Sequence, residues 1–372
     1  MRVRSVNYVL CRAELARPIP LSCGSLTHRN FGLVRIETDS GIEGWGETSV
    51  NFPPWTYRER AATIEEGLAP MLVGEDARDV LRLRDMMVSA TRPFTRMWSE
   101  GAIAQAISGV EMALWDALGK DLSQPVARLL GGARRREFEC YATGIRADDP
   151  PSGARDAVAA GYRAIKMRVG FGDEKDIATA HAVRAAIGPD IALLIDANQA
   201  FDLPRARRMV AALAEVDPYW IEEPVLNDDF VSQARLRAEF PGVRFAWGEN
   251  AVRLSHYRKV AEERLADILM PDPCRCGGMA AAMDAARIAN ASGLPVSAHH
   301  YGSDVGFAAM LHFMAACEHT DLVLRDVAPA ALRDDLIVED LTPVNGIVRL
   351  PDGPGFGVTP NAEVIAASQY RI

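Results

Sequence analysis

The sequence predicts a TIM-type α/β barrel joined to a smaller α+β region. The chain has 372 residues, enough for an eight-stranded barrel of about 250 residues with roughly 120 to spare. From about residue 137, short apolar segments alternate with Ala-rich helical segments. Polar residues recur at the ends of the apolar segments every 23 to 30 residues, the length of a strand, a helix and two loops. The pattern indicates repeated βα units that close into a barrel.

Composition and charge argue against several other classes of protein. Hydrophobic residues make up 49% and charged residues 24% of the chain, as in a globular protein with a core. The formal net charge of −9 lacks the positive excess of a nucleic-acid surface, so we expect no nucleic-acid partner. No apolar stretch approaches a signal-peptide core or the roughly 18 residues of a membrane span. We therefore expect a cytoplasmic protein with no membrane partner, and we also expect it to be a homo-oligomer. The six cysteines lack the spacing of a disulfide framework, so we expect them to be reduced.

The first 130 residues are predicted to form strands followed by helices. Residues 1–60 alternate apolar and polar side chains, as strands with one exposed face do, and are interrupted by the turn-forming Asp39-Ser40-Gly41. Residues 60–130 have helical periodicity, and the last helix is expected to end near Gly119. Its apolar stripe consists of Ile103, Ile107, Val110, Leu114 and Leu118.

Eight strands are predicted for the barrel. They are Phe138–Tyr141, Ala164–Val169, Ala192–Ala197, Trp220–Glu223, Phe245–Gly248, Ile268–Pro271, Val296–Ala298 and Leu322–Leu324. The polar residues at or just past their ends are Lys166, Asp196, Glu222, Glu249, Asp272, His299 and Arg325. Because one end of every strand meets at a single face of a barrel, we expect these side chains to gather there. The Gly- and Pro-rich segment Leu341–Ile372 has no strand left to pair with, so we expect it to return to the N-terminal region.

Three of these residues form a predicted metal site. Asp196, Glu222 and Glu249 end three consecutive repeats. Carboxylates that share a barrel mouth repel one another and lose hydration unless a hard cation neutralises them. An all-oxygen ligand set without thiol or imidazole suits Mg²⁺. Glu223 is the alternative to Glu222, because only one of two successive strand residues faces inward.

The second strand supplies two cations. Lys166 and Arg168 are two residues apart and therefore project to the same side of the strand. Beside the three carboxylates they can bind an anionic substrate and stabilise developing negative charge. The alternative is a pair of hydrated cations on an edge strand, but the flanking Ile165, Met167 and Val169 favour a buried one.

Asp272 and His299 end the sixth and seventh predicted strands and form a candidate catalytic pair. A carboxylate that is hydrogen-bonded to an imidazole fixes its tautomer and makes the other ring nitrogen a better base. His300 directly follows His299, so the choice between the two histidines stays open at this point.

These residues resemble the mandelate racemase-like branch of the enolase superfamily. The resemblance runs from GIEGWGE through SGVEMALWDALGK and PVARLLGG to the barrel motifs. It implies a (β/α)7β barrel over residues 129–330, with a capping domain formed by residues 1–128 and a C-terminal segment, 331–372, that returns to it. One Mg²⁺ would be held by the residues matching Asp196, Glu222 and Glu249. Asp272 in MPDP and His299 in VSAHH are similar to this branch, whereas a Lys after MPDP would have indicated the muconate-cycloisomerase-like branch.

Two positions depart from the pattern that the resemblance implies. The second-strand motif of such proteins is often Lys-x-Lys, in which the second Lys removes a proton, but here that position is Arg168. A guanidinium normally stays charged, so Arg168 is expected to be a carboxylate clamp and not a base. The eighth strand often ends in a Glu that contacts the substrate carboxylate. Here Arg325 is assigned to that position, with Asp326 next to it, which suggests an extra cationic contact to substrate.

The expected function is Mg-dependent dehydration of an acid sugar or related α-hydroxy acid. His299, oriented by Asp272, would remove the α-proton, and Lys166 would neutralise the metal-stabilised enediolate. The β-hydroxyl would then leave with a proton from His299 itself or from another acid, and the enol would tautomerise to a 2-keto acid. Asn198, two residues after Asp196, is expected to contact the substrate carboxylate or the metal. The alternative is a racemase or epimerase, which needs a second base on the opposite face.

Substrate specificity is expected to come from two N-terminal loops, Leu21–Asn30 and Val50–Tyr57. Their candidate contact residues are His28, Arg29, Asn51 and Trp55. Two other functions lack support in the sequence. A barrel hydrolase would need His-x-His at the first strand end, where CYATG has none, and no P-loop or G-x-G-x-x-G motif indicates a nucleotide cofactor.

Overall fold

An antiparallel sheet begins the chain. The computed structural model describes residues 1–21, 24–95 and 97–371. Strands β1 (Val3–Leu21), β2 (Gly24–Thr38) and β3 (Glu43–Thr48) pair in the order β1-β2-β3. The predicted turn at 39–41 joins β2 to β3, and Gly41 adopts the left-handed φ of +80° that this turn requires. The prediction of a loop over Leu21–Asn30 is wrong for most of that segment. Residues 24–30 belong to β2 and pair with β1, which satisfies their backbone groups within the sheet. Residues 22 and 23 lie outside the described residues.

Helices follow the sheet and pack on it. They are α1 (Thr56–Ala62), a π-helical segment (Thr63–Leu68), α2 (Ala69–Leu72), α3 (Val80–Thr95), α4 (Glu100–Asp121) and α5 (Val126–Leu129). Helix α4 passes so close to β3 that a Cβ atom on Gly46 would lie 2.2 Å from the Gly109 carbonyl oxygen. The alternating glycines of GIEGWGE therefore allow the strand backbone to contact the helix backbone.

A parallel barrel occupies the middle of the chain. Its strands pair in the order β10-β4-β5-β6-β7-β8-β9. They are β4 (Glu137–Thr143), β5 (Ala164–Arg168), β6 (Ala192–Asp196), β7 (Trp220–Glu222), β8 (Phe245–Trp247), β9 (Ile268–Leu269) and β10 (Val323–Asp326). Val296 forms one bridge to Leu269 and another to Thr320, so a single bridging residue, and not the predicted three-residue strand, fills the seventh position.

Seven helices surround these eight strand positions, which gives the predicted (β/α)7β arrangement. They are α6 (Pro150–Ala159), α7 (Asp173–Ile187), α8 (Leu203–Ala214), α9 (Phe230–Glu239), α10 (Leu254–Glu262), α11 (Met279–Ala291) and α12 (Asp304–Ala316). Within the described residues, no helix is both long and apolar enough to cross a membrane.

The barrel interior sets the phase of the residues at its mouth. A compact inner cluster contains Tyr141, Ala164, Leu194, Trp220, Ala246, Ile268, Met270 and Leu324. Strand side chains alternate, so residues two positions further along β5, β6 and β7 face the same interior at the carboxyl ends of the strands. Those residues are Lys166, Asp196 and Glu222.

The C-terminal segment contacts both parts of the molecule. Strand β11 (Ile347–Arg349) pairs antiparallel with the start of β4, so the prediction that this segment finds no partner strand in the barrel is wrong. The first residues of β4 extend beyond the strands on either side, so their backbone groups are available to pair with β11. Helix α13 (Ala362–Ser368) follows, and the Tyr370 N–H donates to the Leu10 carbonyl in β1 at 2.7 Å.

Candidate active site

The three predicted metal ligands lie together at the barrel mouth. Asp196, Glu222 and Glu249 are buried, and one oxygen from each lies within 4.8 Å of the others. The Lys166 ammonium contacts two of them, with Nζ 2.8 and 3.0 Å from the two Glu222 oxygens and 3.3 Å from Asp196 Oδ2. The Arg275 guanidinium lies 3.2 Å from Glu249, and that of Arg168 lies 3.9 Å from Asp196, so each carboxylate has a cationic neighbour.

The electrostatics of the cluster fit a divalent cation. Burial and the neighbouring Asp196 raise the pKa of Glu222 well above its ordinary value. Burial opposes the charge on Lys166, but Asp196 and Glu222 outweigh it and raise its pKa well above the ordinary value. Burial acts against ionisation of Glu249, but Arg275, Lys166 and Arg168 outweigh it and lower its pKa. Three carboxylates that offer only oxygen donors are a ligand set that suits a hard cation such as Mg²⁺.

Glu223 does not join this cluster. Its backbone has a φ of +38°, and its carboxylate accepts from Asn250 Nδ2 at 2.9 Å and the Gly248 N–H at 3.3 Å. Burial and the nearby Glu249 raise the pKa of Glu223 to about 8. The structure therefore places Glu222, and not Glu223, inside the barrel, and Glu223 supports the loop after β8.

His299 and Asp272 form a hydrogen-bonded pair beside the acidic cluster. His299 Nδ1 lies 2.8 Å from Asp272 Oδ2, and Nε2 lies 3.0 Å from Glu249 Oε2. Asp272 is itself fixed, because it accepts the Cys274 N–H at 2.7 Å and lies 3.3 Å from Arg275 Nε. Burial and the Arg275 cation lower the pKa of His299 to about 3, against the opposing effect of Asp272. A neutral ring that donates Nδ1–H to Asp272 directs an unprotonated Nε2 toward the mouth.

His300 has different hydrogen-bond partners from His299. Its Nε2 donates to the Ser303 carbonyl at 2.9 Å, and its Nδ1 lies 3.9 Å from Cys274 Sγ. One ring nitrogen thus contacts the residue that precedes α12, and the other lies near the loop after β9. The ambiguity between the adjacent histidines is resolved in geometric terms, since only His299 faces the acidic cluster.

Arg168 and Asn198 also lie at the mouth. Arg168 Nε is 3.9 Å from Asp196 Oδ2, and this nitrogen is buried without a hydrogen-bond partner in the described part of the chain. Burial opposes the Arg168 charge, but Asp196 outweighs it and raises the pKa above the ordinary value. The Asn198 N–H donates to Asp196 Oδ1 at 2.9 Å, so this residue orients a predicted metal ligand through its backbone.

Arg325 does not reach the site, which corrects the predicted substrate contact. In β10, Leu324 faces the barrel interior, so Arg325 faces the surrounding helices, where it pairs with Asp304 and Asp334. Asp326 takes the interior position instead and binds Arg29 from the capping domain at 2.7 Å. Burial acts against ionisation of Asp326, but the Arg29 and Arg333 cations outweigh it and lower its pKa. The extra cation expected near the eighth strand is therefore Arg29.

Three other candidate substrate-contact residues are His28, Trp55 and Asn51. His28 bonds its neighbour Thr27 at 3.2 Å, and Trp55 is 69% exposed beside the start of α1, so their substrate contacts stay predictions. Asn51 bonds the backbone of Asn30 through both ends of its amide and lines a small cavity beside Asp272.

Sequence reasoning missed two residues of the site. Arg275 contacts both Glu249 and Asp272, and nothing in the CRCGG segment distinguishes it from a loop arginine. Tyr301 lies at the mouth two residues after His299, and this spacing within VSAHHY was a usable signal.

The molecule is a capped barrel with an acidic cluster and a His–Asp pair at its mouth, an arrangement that suits enzymes acting on carboxylates. Profiles of protein families match this chain in two regions. The mandelate racemase / muconate lactonizing enzyme N-terminal domain matches residues 4–131, and the enolase C-terminal domain-like profile matches residues 152–364. The chain belongs to the mandelate racemase-like branch of the enolase superfamily.

Individual relatives cover nearly the whole chain. D-Galactarolactone cycloisomerase from Agrobacterium fabrum is 32% identical over 100% of this chain and 99% of its own length. L-Rhamnonate dehydratase from Saccharopolyspora erythraea is 32% identical over 91% of this chain and 85% of its own. A crystal structure of a racemase from Streptomyces coelicolor with bound magnesium superimposes with a TM-score of 0.89 at 27% identity, covering 99% of this chain and 100% of that one. These relatives support an acid-sugar enzyme of the enolase superfamily.

Proposed function

We propose that the protein is a Mg-dependent dehydratase of an acid sugar or related α-hydroxy acid. The observation that carries this proposal is the His299–Asp272 pair, whose outer ring nitrogen lies against Glu249 of the acidic cluster, while Lys166 contacts Glu222 and Asp196 of the same cluster. A base and a buried cation that contact the same cluster suit removal of a proton α to a carboxylate.

The metal would be held by Asp196, Glu222 and Glu249. When bound, Mg²⁺ supplies a Lewis acid that stabilises the negative charge developing on the substrate carboxylate. Lys166 adds a fixed ammonium on the side of Glu222 and Asp196. The backbone of Asn198 orients Asp196, and the Arg275 guanidinium, 3.2 Å from Glu249 Oε1, orients Glu249.

His299 is the base in this proposal. The hydrogen bond to Asp272 holds the proton on Nδ1 and leaves Nε2 to accept the α-proton. Asp272 is held by Arg275 and the Cys274 N–H, so the ring cannot turn without breaking several contacts. The substrate then loses a β-oxygen and forms an enol that tautomerises to a 2-keto acid.

A second candidate function is opening of an acid-sugar ring by the same elimination. The full-length similarity to D-galactarolactone cycloisomerase favours it. The α-proton is removed in the same way, and the oxygen that leaves the β-carbon stays attached through the ring. The racemase or epimerase alternative has less support, because the charge-retaining Arg168 stands where a second base would be needed.

Incubation of the purified enzyme with aldonic acids, aldaric acids and their lactones in D₂O with Mg²⁺ tests these functions. We expect 2-keto acid release from an open-chain acid sugar. Keto acid from a lactone, without loss of water, would instead select ring opening. Exchange of the α-hydrogen with inversion and no keto acid would contradict the elimination proposal and favour a racemase.

Arg168 is predicted to act as a clamp for the substrate carboxylate. Replacing it with Lys keeps the charge and removes the planar fork, so Arg168→Lys should raise KM about tenfold or more with a smaller fall in kcat. Steady-state kinetics with the acid sugar identified above measure both effects, and Arg208→Lys, at an exposed arginine of α8, is the matched control. A fall in kcat at unchanged KM, together with loss of α-hydrogen exchange on the face opposite His299, would make Arg168 a base.

A further inference from the structure

Tyr301 is a protic side chain at the barrel mouth that the mechanism above does not use. It is half-buried in the segment between the seventh strand position and α12. The Arg29 guanidinium lies 4.2 Å from its ring centroid and that of Arg168 lies 5.7 Å away. Phe52 from the capping domain stacks on the same ring, with centroids 5.8 Å apart. Tyr301 therefore extends from the strand of His299 toward the strand of Arg168, under the cap.

The Tyr301 hydroxyl has no hydrogen-bond partner among the described residues. The hydroxyls of Tyr8 and Tyr141 are also unpaired, but those are enclosed in the protein core, whereas that of Tyr301 is not. Tyr301 also lines the small cavity that borders Asp272 and Asn51. A hydroxyl that is accessible at the mouth and unpaired can donate its proton to a bound substrate.

The other protic groups at the mouth are engaged, apart from the His299 imidazolium that forms when the α-proton is removed; the Tyr301→Phe measurement below distinguishes Tyr301 from it. Lys166 is held by Glu222 and Asp196. Arg168 keeps its proton because guanidinium is a very weak acid. Asp326 is an ionised partner of Arg29, and His300 donates to the Ser303 carbonyl. Elimination nevertheless requires an acid, because hydroxide or alkoxide is a poor leaving group at neutral pH.

We propose that Tyr301 is the general acid that protonates the departing β-oxygen, an inference that rests on the proposed function. The Tyr301 O–H bond breaks as its proton passes to the β-oxygen. The bond between the β-carbon and that oxygen breaks, and its electron pair goes to the oxygen. The electron pair of the former α C–H bond becomes the C=C bond of the enol. The α-proton is first held on His299; His299 later releases it to water, and water returns a proton to the Tyr301 phenolate, which restores both groups.

The two guanidinium groups beside Tyr301 support this role. A phenolate forms transiently when the proton is transferred, and Arg29 and Arg168 place positive charge next to it at that moment. Arg29 is completely buried, and its Nε and Nη2 atoms have no hydrogen-bond partner in the described chain, so its charge is only partly compensated by Asp326. The two cations thus offer counter-charge to the transient phenolate in this proposal.

Tyr301→Phe tests the proposal with α-hydrogen exchange and product release measured on the same enzyme. In D₂O, the variant should still exchange the α-hydrogen of the acid sugar at a rate within a few-fold of wild type. Keto-acid release should fall about 10²- to 10⁴-fold, the range for loss of a general acid. A substrate with fluorine in place of the β-hydroxyl should restore near-wild-type elimination, measured as fluoride release, because fluoride leaves without a proton.

Tyr370→Phe is the matched control. Tyr370 also lies under an arginine, with the Arg12 Cζ atom 3.6 Å from its ring centroid. Its backbone N–H, however, bonds Leu10 in β1, the outer strand of the antiparallel sheet. We expect wild-type rates from this variant.

Three outcomes would overturn the assignment. Equal keto-acid release by wild type and Tyr301→Phe would remove Tyr301 from the chemistry while leaving the proposed function intact. A parallel fall in exchange and release, not restored by the fluoro substrate, would make it a binding or structural residue. If wild type inverts the α-carbon and releases no keto acid, the proposed function fails, and with it the need for an acid.

Discussion

Glu222→Gln should abolish turnover of the acid-sugar substrate while leaving the protein folded. The substitution removes one charge from the all-carboxylate cluster and one of the two carboxylates that hold Lys166. Loss of a metal ligand at a barrel mouth affects function more than core packing, and the Lewis acid contributes several kcal/mol. We therefore expect kcat/KM to fall by about 10³-fold or more, equivalent to about 4 kcal/mol. Keto-acid release, circular dichroism and titration calorimetry with Mg²⁺ measure activity, folding and metal binding.

The same prediction applies to Asp196→Asn and Glu249→Gln, and chelation should reproduce it in wild type. Glu239→Gln is the matched control, because Glu239 is an exposed glutamate on α9 that pairs with Arg207. Activity should return when Mg²⁺ is added back after chelation. Undiminished turnover after exhaustive chelation would contradict a metal-dependent mechanism.

The acidic cluster was predictable from sequence because it depends on periodicity. Asp196 and Glu222 follow inward-facing core residues by two positions, and the repeat length places the strand ends at one face. The His299–Asp272 pair followed from the same argument, since neighbouring strands end side by side.

The eighth strand shows where this reasoning fails. Arg325 and Asp326 are adjacent, and a shift of one residue exchanges the interior and exterior faces of a strand. Because the apolar run ends at Leu324, the sequence predicts that the first polar residue, Arg325, faces inward, whereas in the structure Leu324 does. The partner of Asp326 could not be predicted either, because Arg29 is 297 residues away in the chain.

The hairpin of β1 and β2 illustrates a second limit. Residues 24–30 contain polar and turn-forming side chains, yet the structure pairs them with β1, because the neighbouring strand satisfies their backbone groups. As a result, Arg29 lies on a strand of the sheet and not on a loop, and it reaches the barrel mouth from a rigid element.

His299→Asn should eliminate exchange of the substrate α-hydrogen, because it removes the only imidazole that faces the acidic cluster in the described structure. Loss of a general base costs about 10²- to 10⁴-fold in rate. Asp272→Asn should cause a smaller but still large loss, because the neutral amide no longer holds the Nδ1 proton that orients the ring. His300→Asn is the matched control at the adjacent position. It removes a hydrogen bond to the Ser303 carbonyl, so it should lower the melting temperature while exchange per folded molecule stays near wild type. Exchange measured by NMR in D₂O, alongside thermal unfolding of each variant, separates the two roles. If His300→Asn abolishes exchange and His299→Asn does not, the base is His300, and the orientation of both rings at the mouth must change when substrate binds.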